Sequence, residues 1–178
     1  MNPINPHTAY FKLTTERIEF RTLTVEDIPS WLPFFENPED IQYVGVDTTL
    51  SPEALATQWI TKQLERYVEQ GLGHLALCHK TSGTFMGVGG LLPRKVDDRP
   101  YLEIAYSLLP QYRGKGIATE AASALRDFGQ HYLPEHQLIS IIAQENHGSQ
   151  QVARKLGMHI VDETTYLGLS VFLFGFMP

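Results

Sequence analysis

Cysteine is almost absent from this sequence of 178 residues, because Cys78 is the only one. A single thiol excludes an intrachain disulfide framework and a metal site built from several cysteines. Cys78 lies in the apolar run 74–78, which favours a buried structural thiol over a nucleophile. The seven histidines show no i, i+4 pair beside a carboxylate of the kind that zinc sites use. We therefore expect no metal.

Positive charge and long apolar runs are also scarce. Fourteen Lys and Arg against 20 Asp and Glu give a formal net charge of −6, which argues against nucleic-acid binding through bulk attraction to phosphates. No stretch approaches the ~18 apolar residues of a membrane span. Residues 1–6 lack a basic region followed by an apolar one, so no secretory signal is evident. We expect a cytoplasmic protein that binds neither nucleic acid nor membranes.

The composition is typical of one globular domain. Hydrophobic residues make up 43% and charged residues 19% of the chain, and its length is sufficient to bury a core without disulfides or metals. No repeat, low-complexity tract or linker interrupts the sequence. We therefore expect a single domain over residues 1–178, with 1–16 as a polar lead-in segment, present as a monomer or homodimer.

Hydrophobic periodicity and turn residues predict an α/β domain with one sheet. The predicted strands cover residues 17–23, 74–79, 84–92, 101–109, 138–143, 158–161 and 168–176. The predicted helices start near residues 24, 51, 117 and 146. Residues 38–49 are expected to form an irregular loop, and residues 95–100 a polar loop.

The segment 111–118 follows the fourth predicted strand and leads directly into a helix. Gly114 and Gly116 within it allow the backbone to approach a ligand closely. The first N–H groups of the helix have no intrahelical partner and lie at the positive end of its dipole, which is typical of an anion site for a phosphate or pyrophosphate. The nucleotide P-loop pattern is missing, and Thr119 stands where the dinucleotide fingerprint needs its third glycine. Both nucleotide interpretations are therefore poor.

Four blocks of sequence resemble the GNAT superfamily of N-acetyltransferases. They are Glu103-Ile104-Ala105-Tyr106, then Gln111-x-x-Gly114-x-Gly116-x-Ala118 running into Thr119-Glu120-Ala121, then Asn146-x-x-Ser149, and finally Lys155-Leu156-Gly157-Met158. The second block matches the acetyl-CoA motif of the superfamily. Over about residues 14–175 the chain is similar to the subgroup of ribosomal-protein N-terminal acetyltransferases of the RimJ/RimL type. The resemblance implies a single-domain GNAT-like fold, with a mixed, mostly antiparallel sheet, splayed parallel strands four and five, and flanking helices.

The same resemblance implies which residues bind acetyl-CoA. Backbone N–H groups from Arg113 to Ala118 would hold the pyrophosphate, the strand ending at Leu108 would pair with the pantetheine arm, and Asn146 would hydrogen-bond to that arm. An N–H group near Tyr106 to Leu108 would polarise the thioester carbonyl. The implied cofactor-binding residues are Tyr106, Leu108, Gln111, Arg113, Gly114, Lys115, Gly116, Ile117, Ala118, Thr119, Asn146 and Ser149.

The implied reaction is direct attack of an amine on the thioester, which needs a general base. An amine of pKa ~8 to 10 is largely protonated at neutral pH and must lose a proton before it attacks. Glu103 matches the glutamate of strand four that serves as the base in some members; the alternative is a structural glutamate bonded to backbone or to an arginine. Ala153 stands where many members have a tyrosine acid. Ser149 is the other catalytic candidate, either as a substitute acid or only as a binding residue.

The acceptor is left open by the sequence. In this subgroup residues 37–49 and 162–169 would shape its pocket, and their carboxylates would suit a cationic acceptor or simply be solvated. These carboxylates are Glu39, Asp40, Asp47, Asp162 and Glu163. A peptide N-terminus and a small amine are both expected acceptors. A non-catalytic acyl-CoA-binding module is the alternative function.

Overall fold

The computed structural model describes residues 8–177, which contain one seven-stranded sheet. The strands are β1 (Ile18–Arg21), β2 (His74–His79), β3 (Phe85–Val96), β4 (Arg99–Leu108), β5 (Leu138–Ala143), β6 (His159–Tyr166) and β7 (Leu169–Gly175). The helices are α1 (Ile28–Phe35), α2 (Pro38–Ile41), α3 (Pro52–Gln70), α4 (Ile117–Tyr132) and α5 (His147–Lys155). The strand order is β1-β2-β3-β4-β5-β7-β6, and of these neighbours β4 and β5 alone are parallel. The predicted mixed, mostly antiparallel sheet is confirmed.

Two apolar clusters cover opposite faces of this sheet. Leu75 and Leu77 of β2 belong to the cluster that includes α4, whereas Ala76 and Cys78 belong to the cluster that includes α1 and α3. Successive side chains of a strand point to opposite faces, so β2 is covered on both sides. This explains why its sequence is a continuous apolar run, and it places the thiol of Cys78 in the core.

β4 and β5 are paired only where they begin. Leu102 lies opposite Leu138 and Glu103 opposite Ile139, while both strands continue beyond these pairs. The two strands diverge after this point, as predicted for the parallel pair. β4 is left with an unpaired edge that faces an opening in the sheet.

The predicted loops are more ordered than the sequence suggested. Residues 38–41 form α2, because the Asn37 side chain accepts a hydrogen bond from the Glu39 N–H at 3.1 Å and a proline follows the cap. The loop predicted over 95–100 was wrong. β3 and β4 instead join through Asp97 and Asp98, whose φ angles of 45° and 64° close a tight hairpin turn.

Residues 8–16, within the predicted lead-in segment, pack against the rest of the domain. Tyr10 is fully buried, and its hydroxyl donates to the Gly73 carbonyl at 2.5 Å and accepts from the Leu91 N–H at 2.8 Å. This hydroxyl satisfies two buried backbone groups that would otherwise lack partners. Residues 1–7 of the predicted lead-in lie outside the described residues.

Removing the hydroxyl of Tyr10 is expected to destabilise the domain. Tyr10→Phe leaves a buried carbonyl and a buried N–H unsatisfied, which should lower the free energy of unfolding by about 2–4 kcal/mol. Urea unfolding measures this loss. Tyr101→Phe is the control, because Tyr101 is also buried and its hydroxyl bonds to none of the residues 8–177. Equal losses for the two variants would contradict the role given to the Tyr10 hydroxyl.

Candidate active site

The opening between β4 and β5 continues into a cavity of about 760 Å³. Its walls come from α2 and the loop after it, from α3, from β4 and β5, and from the first turns of α4 and α5. Every residue that the sequence proposed for catalysis or cofactor binding lines this cavity, except Gln111 and Lys115. The fold therefore brings into one space residues that are up to 46 positions apart, from Glu103 to Ser149.

The turn before α4 presents a row of backbone N–H groups to the cavity. Gly114 and Gly116 have φ angles of 71° and 79°, which other residues adopt only at a cost. A Cβ atom added at Gly114 would meet nothing within 4 Å, so the turn borders open space. The Glu120 N–H donates to the Gly116 carbonyl at 3.0 Å, and the N–H groups of 117–119 precede this first helical bond. These groups lie at the positive end of the helix dipole and suit an anion.

Arg113 does not contribute its own N–H group or a free charge to this row. Its N–H donates to the Pro110 carbonyl at 3.2 Å. Its guanidinium donates to the Leu108 carbonyl at 3.0 and 2.8 Å and pairs with Asp40 at 2.5 Å. The available amides therefore begin at Gly114, one residue later than the sequence suggested.

The glycine turn is fixed from outside the cavity by Arg17. Its Nε pairs with Glu120 Oε2 at 2.6 Å, and its Nη1 donates to the Lys115 carbonyl at 2.9 Å. Glu120 also accepts from the Thr15 hydroxyl at 2.5 Å. The first turn of α4 is thus tied to the segment before β1, which restricts the orientation of the N–H row.

The unpaired edge of β4 directs alternate backbone groups into the opening. The Ile104 carbonyl faces β5, since it accepts from the Ser140 hydroxyl at 2.9 Å, whereas the Leu109 N–H faces β3 and donates to the Met86 carbonyl at 3.0 Å. Backbone groups alternate sides along a strand. The N–H groups of residues 106 and 108 therefore point into the opening. An extended chain can pair with this edge as an added strand would.

The start of α5 is held across the opening by Asn146 and Tyr106. The Asn146 side chain caps the helix by accepting from the Ser149 N–H at 3.0 Å, and the Tyr106 hydroxyl donates to the Ser149 carbonyl at 3.1 Å. Burial raises the pKa of Tyr106, so its hydroxyl stays a neutral donor. Ala153 is 1% exposed and lies in the core, so no acid occupies that position.

Glu103 lies at the inner end of the cavity and is 8% exposed. Its Oε2 accepts from Arg94 Nε at 2.6 Å, so the arginine-bonded arrangement considered as an alternative is present. Sequence reasoning missed Arg94. The hairpin register was the available signal, because Leu92 lies opposite Glu103 and Arg94 lies two residues further along the same face of β3.

Three further polar side chains of the inner end were also missed. Arg66, Gln63 and His74 line the cavity, and the Gln63 side-chain oxygen lies 3.1 Å from both Arg66 Nη1 and His74 Nδ1. Burial lowers the pKa of His74 well below its usual value, with Arg66 and Arg94 adding to the effect. His74 is therefore neutral at pH 7. Gln63 follows Leu55 and Trp59 at four-residue intervals, and this helical spacing with apolar residues was the sequence signal for the group.

The two segments expected to shape the acceptor pocket meet at the mouth of the cavity. A Cβ atom added at Gly45 would lie 3.0 Å from Leu167 Cδ1, which shows how closely the segments approach. The segment 37–49 places Glu39, Asp40 and Asp47 on the cavity wall. Asp162 and Glu163 do not line it, because β6 extends to Tyr166 and exposes them on the strand.

Within residues 8–177 no group of three or more His, Cys, Asp or Glu is placed to hold a metal ion. Over the same range, no helix has the length and apolar character needed to cross a membrane.

A comparison with known families identifies the family of this chain. The family described as acetyltransferase (GNAT) domain matches residues 17–159. The chain belongs to the GNAT acetyltransferase family. It is therefore an N-acetyltransferase, and the GNAT fold uses acetyl-CoA as its acetyl donor.

Individual relatives of this acetyltransferase extend the comparison. It is 28% identical over 153 residues to the uncharacterized protein YkkB of Bacillus subtilis, covering 85% of this chain and 87% of that protein. A solved acetyltransferase from Agrobacterium tumefaciens is similar with a TM-score of 0.74 and 25% identity, over 90% of this chain and 92% of that one. The ribosomal L7/L12 acetyltransferase RimL in complex with coenzyme A has a TM-score of 0.73 at 14% identity, over 91% and 94%, which shows a shared fold alone.

Proposed function

We propose that this acetyltransferase transfers an acetyl group from acetyl-CoA to a primary amine by direct attack of the amine on the thioester. One observation carries the proposal. The unpaired edge of β4 ends beside the glycine turn before α4, and both border the cavity that contains Glu103. A single cavity thus offers an anion site, an edge for an extended chain, and a buried carboxylate.

The residues present fit the pyrophosphate and the pantetheine arm of acetyl-CoA. The free N–H groups from Gly114 to Thr119 would hold the pyrophosphate. The N–H groups of Tyr106 and Leu108 would pair with the pantetheine arm, and the Leu108 carbonyl is already occupied by Arg113. Asn146 uses its oxygen to cap α5, which leaves its side-chain NH₂ group for the arm. These groups are therefore available to bind the pyrophosphate and the pantetheine arm.

The proposed chemistry balances without a metal or a covalent enzyme intermediate. Glu103 accepts a proton from the ammonium form of the acceptor, directly or through water, and the freed nitrogen attacks the thioester carbon. A C–N bond forms, the C–S bond breaks, and the sulfur leaves as a thiolate. The nitrogen loses its second proton as the amide forms, and this proton passes to the thiolate directly or through solvent. A thiol of pKa ~8.5 leaves tolerably without an acid, which fits the alanine at position 153. Ser149 would then bind the donor and need not supply a proton.

The proposal also includes membership of the RimJ/RimL-type subgroup. The resemblance over residues 14–175 supports a relationship to the ribosomal-protein N-terminal acetyltransferases, and RimL shares the fold. A peptide α-amine and a small primary amine both remain open within this function.

The proposal is tested by release of free thiol from acetyl-CoA in the presence of amines. We expect release above the amine-free background with at least one acceptor from a panel of peptides, amino acids and polyamines, and mass spectrometry should show a 42 Da gain on that acceptor, about the mass of one acetyl group. Tight binding of coenzyme A without release for any acceptor would contradict the proposal. It would favour a non-catalytic acyl-CoA-binding module.

A further inference from the structure

The inner end of the cavity carries more positive than negative charge. Arg66 and Arg94 both line it, and Glu103 is paired with Arg94 at 2.6 Å. Arg66 forms no ion pair with any carboxylate of residues 8–177, and its Nη1 donates instead to the neutral side-chain oxygen of Gln63 at 3.1 Å. One half-buried guanidinium is therefore left without an ion pair of its own.

The neighbouring titratable groups respond to this excess of charge. Burial, together with the nearby Arg94, lowers the pKa of Arg66 to about 10, and Glu103 and Tyr166 only partly offset this. The pKa of His74 is lowered by burial and by the same two arginines, so this ring adds no further charge. A cation that loses water and gains no partner is stabilised by an incoming anion.

The other carboxylates of the cavity do not neutralise Arg66. Asp40 is paired with Arg113 at 2.5 Å, and Glu39 and Asp47 are exposed at the mouth, where water and salt screen them. An acceptor that passes the mouth meets a basic inner wall beside one carboxylate. A polyamine would place a second ammonium group against that wall, which costs free energy.

We infer that the acceptor carries a carboxylate near its reactive amine, as a free amino acid does. Arg66 binds that carboxylate, and Glu103 faces the amine. The inference rests on the proposed function. A guanidinium recognises a carboxylate through two parallel hydrogen bonds, a geometry that fixes the ligand as well as attracting it. Trp59, whose ring lies 4.8 Å from the His74 ring, adds an apolar wall for the remainder of the acceptor.

The test compares acceptors that differ in the carboxylate. Thiol release from acetyl-CoA is measured with free L-amino acids, with their methyl esters, with the matching decarboxylated amines, and with spermidine. We expect kcat/KM to be at least tenfold higher for the best amino acids than for the matching compounds without a carboxylate. The methyl esters make the comparison strict. Their amines are less protonated at neutral pH than those of the free amino acids, so without recognition of the carboxylate the esters would react faster.

Variants of Arg66 separate recognition from folding. Arg66→Gln should raise KM for amino acids at least tenfold and abolish the preference, with KM for acetyl-CoA within twofold of the wild type. Arg66→Lys keeps the charge and should retain a preference that Arg66→Gln lacks. Arg99→Gln is the matched control, since Arg99 is exposed and does not line the cavity. The thermal unfolding of each variant shows whether a loss comes from the fold.

Three results would overturn the inference. The inferred recognition of a carboxylate would be wrong if the esters, the decarboxylated amines or spermidine were acetylated as fast as the free amino acids or faster. The proposed function would not be affected by that result. Faster acetylation of peptide α-amines than of any free amino acid would remove the inference in the same way. Thiol release that no amine raises above the amine-free background would remove the proposed function, and the inference would fail with it.

Discussion

Replacing Gly116 with glutamate is expected to reduce the affinity for coenzyme A at least 100-fold, or about 2.7 kcal/mol. Gly116 has a φ of 79°, so any side chain there strains the turn by about 1–2 kcal/mol. The carboxylate also brings a negative charge to the N-terminus of α4, where it competes with the pyrophosphate for the free N–H groups. The strain and the repulsion act on the same atoms that hold the ligand. Titration calorimetry with coenzyme A measures the loss.

The matched control for this variant is Gly83→Glu. Gly83 has a φ of 70° and open space around its Cα, but it lies in the turn between β2 and β3 and does not line the cavity. The backbone strain is similar, and the affinity for coenzyme A should stay within twofold of the wild type. A comparable loss of affinity in both variants would show that general destabilisation is responsible, and the anion site would lose its main support.

Glu103→Gln is expected to lower kcat by about 10²- to 10⁴-fold near neutral pH, with the affinity for coenzyme A nearly unchanged. The glutamine amide is similar in shape to the carboxylate but cannot accept a proton from the ammonium form of the acceptor. The deficit should shrink as the pH rises through the acceptor pKa of ~8 to 10, because solvent then removes that proton. The measurement is the pH dependence of kcat at saturating acetyl-CoA.

Two comparisons separate a proton-accepting role of Glu103 from a structural one. Arg94→Gln removes the same 2.6 Å ion pair but keeps the carboxylate, so it should retain more activity than Glu103→Gln. Glu163→Gln changes an exposed glutamate outside the cavity and should behave as the wild type. A deficit of the same size at every pH would show that Glu103 only orients its neighbours. An unchanged rate would exclude Glu103 from the mechanism.

The parts of this molecule that the sequence predicts best are those set by local chemistry. Gly114 and Gly116 predict a turn with positive φ angles before a helix, and the structure contains that turn. The splaying of β4 and β5 was predicted only from the resemblance to GNAT acetyltransferases. The hydrophobic periodicity of a strand does not show whether its edge is paired. The extra helix α2 was missed because it is only four residues long and its signal is one cap at Asn37.

The charged inner end of the cavity was missed because its members belong to three separate elements. Arg66 comes from α3, Arg94 from β3 and His74 from β2, and the close approach of these elements is set by packing over the whole sheet. Charge content along the chain pointed instead to the acidic loop residues Glu39 and Asp47. Their carboxylates lie at the mouth, where they are exposed. Net charge therefore did not indicate the two arginines at the inner end of the cavity.

The ion pair between Asp40 and Arg113 joins the two regions that we propose for the substrates. Asp40 belongs to the segment at the acceptor mouth, and Arg113 holds the last carbonyl of the strand edge proposed for the donor. A change in the mouth segment that moves α2 is thereby transmitted to the position of the donor arm. A substitution that changes the proposed acceptor specificity without moving the proposed donor site would therefore have to lie further inside the cavity than the Asp40–Arg113 ion pair. A substitution in the mouth segment would change both sites at once.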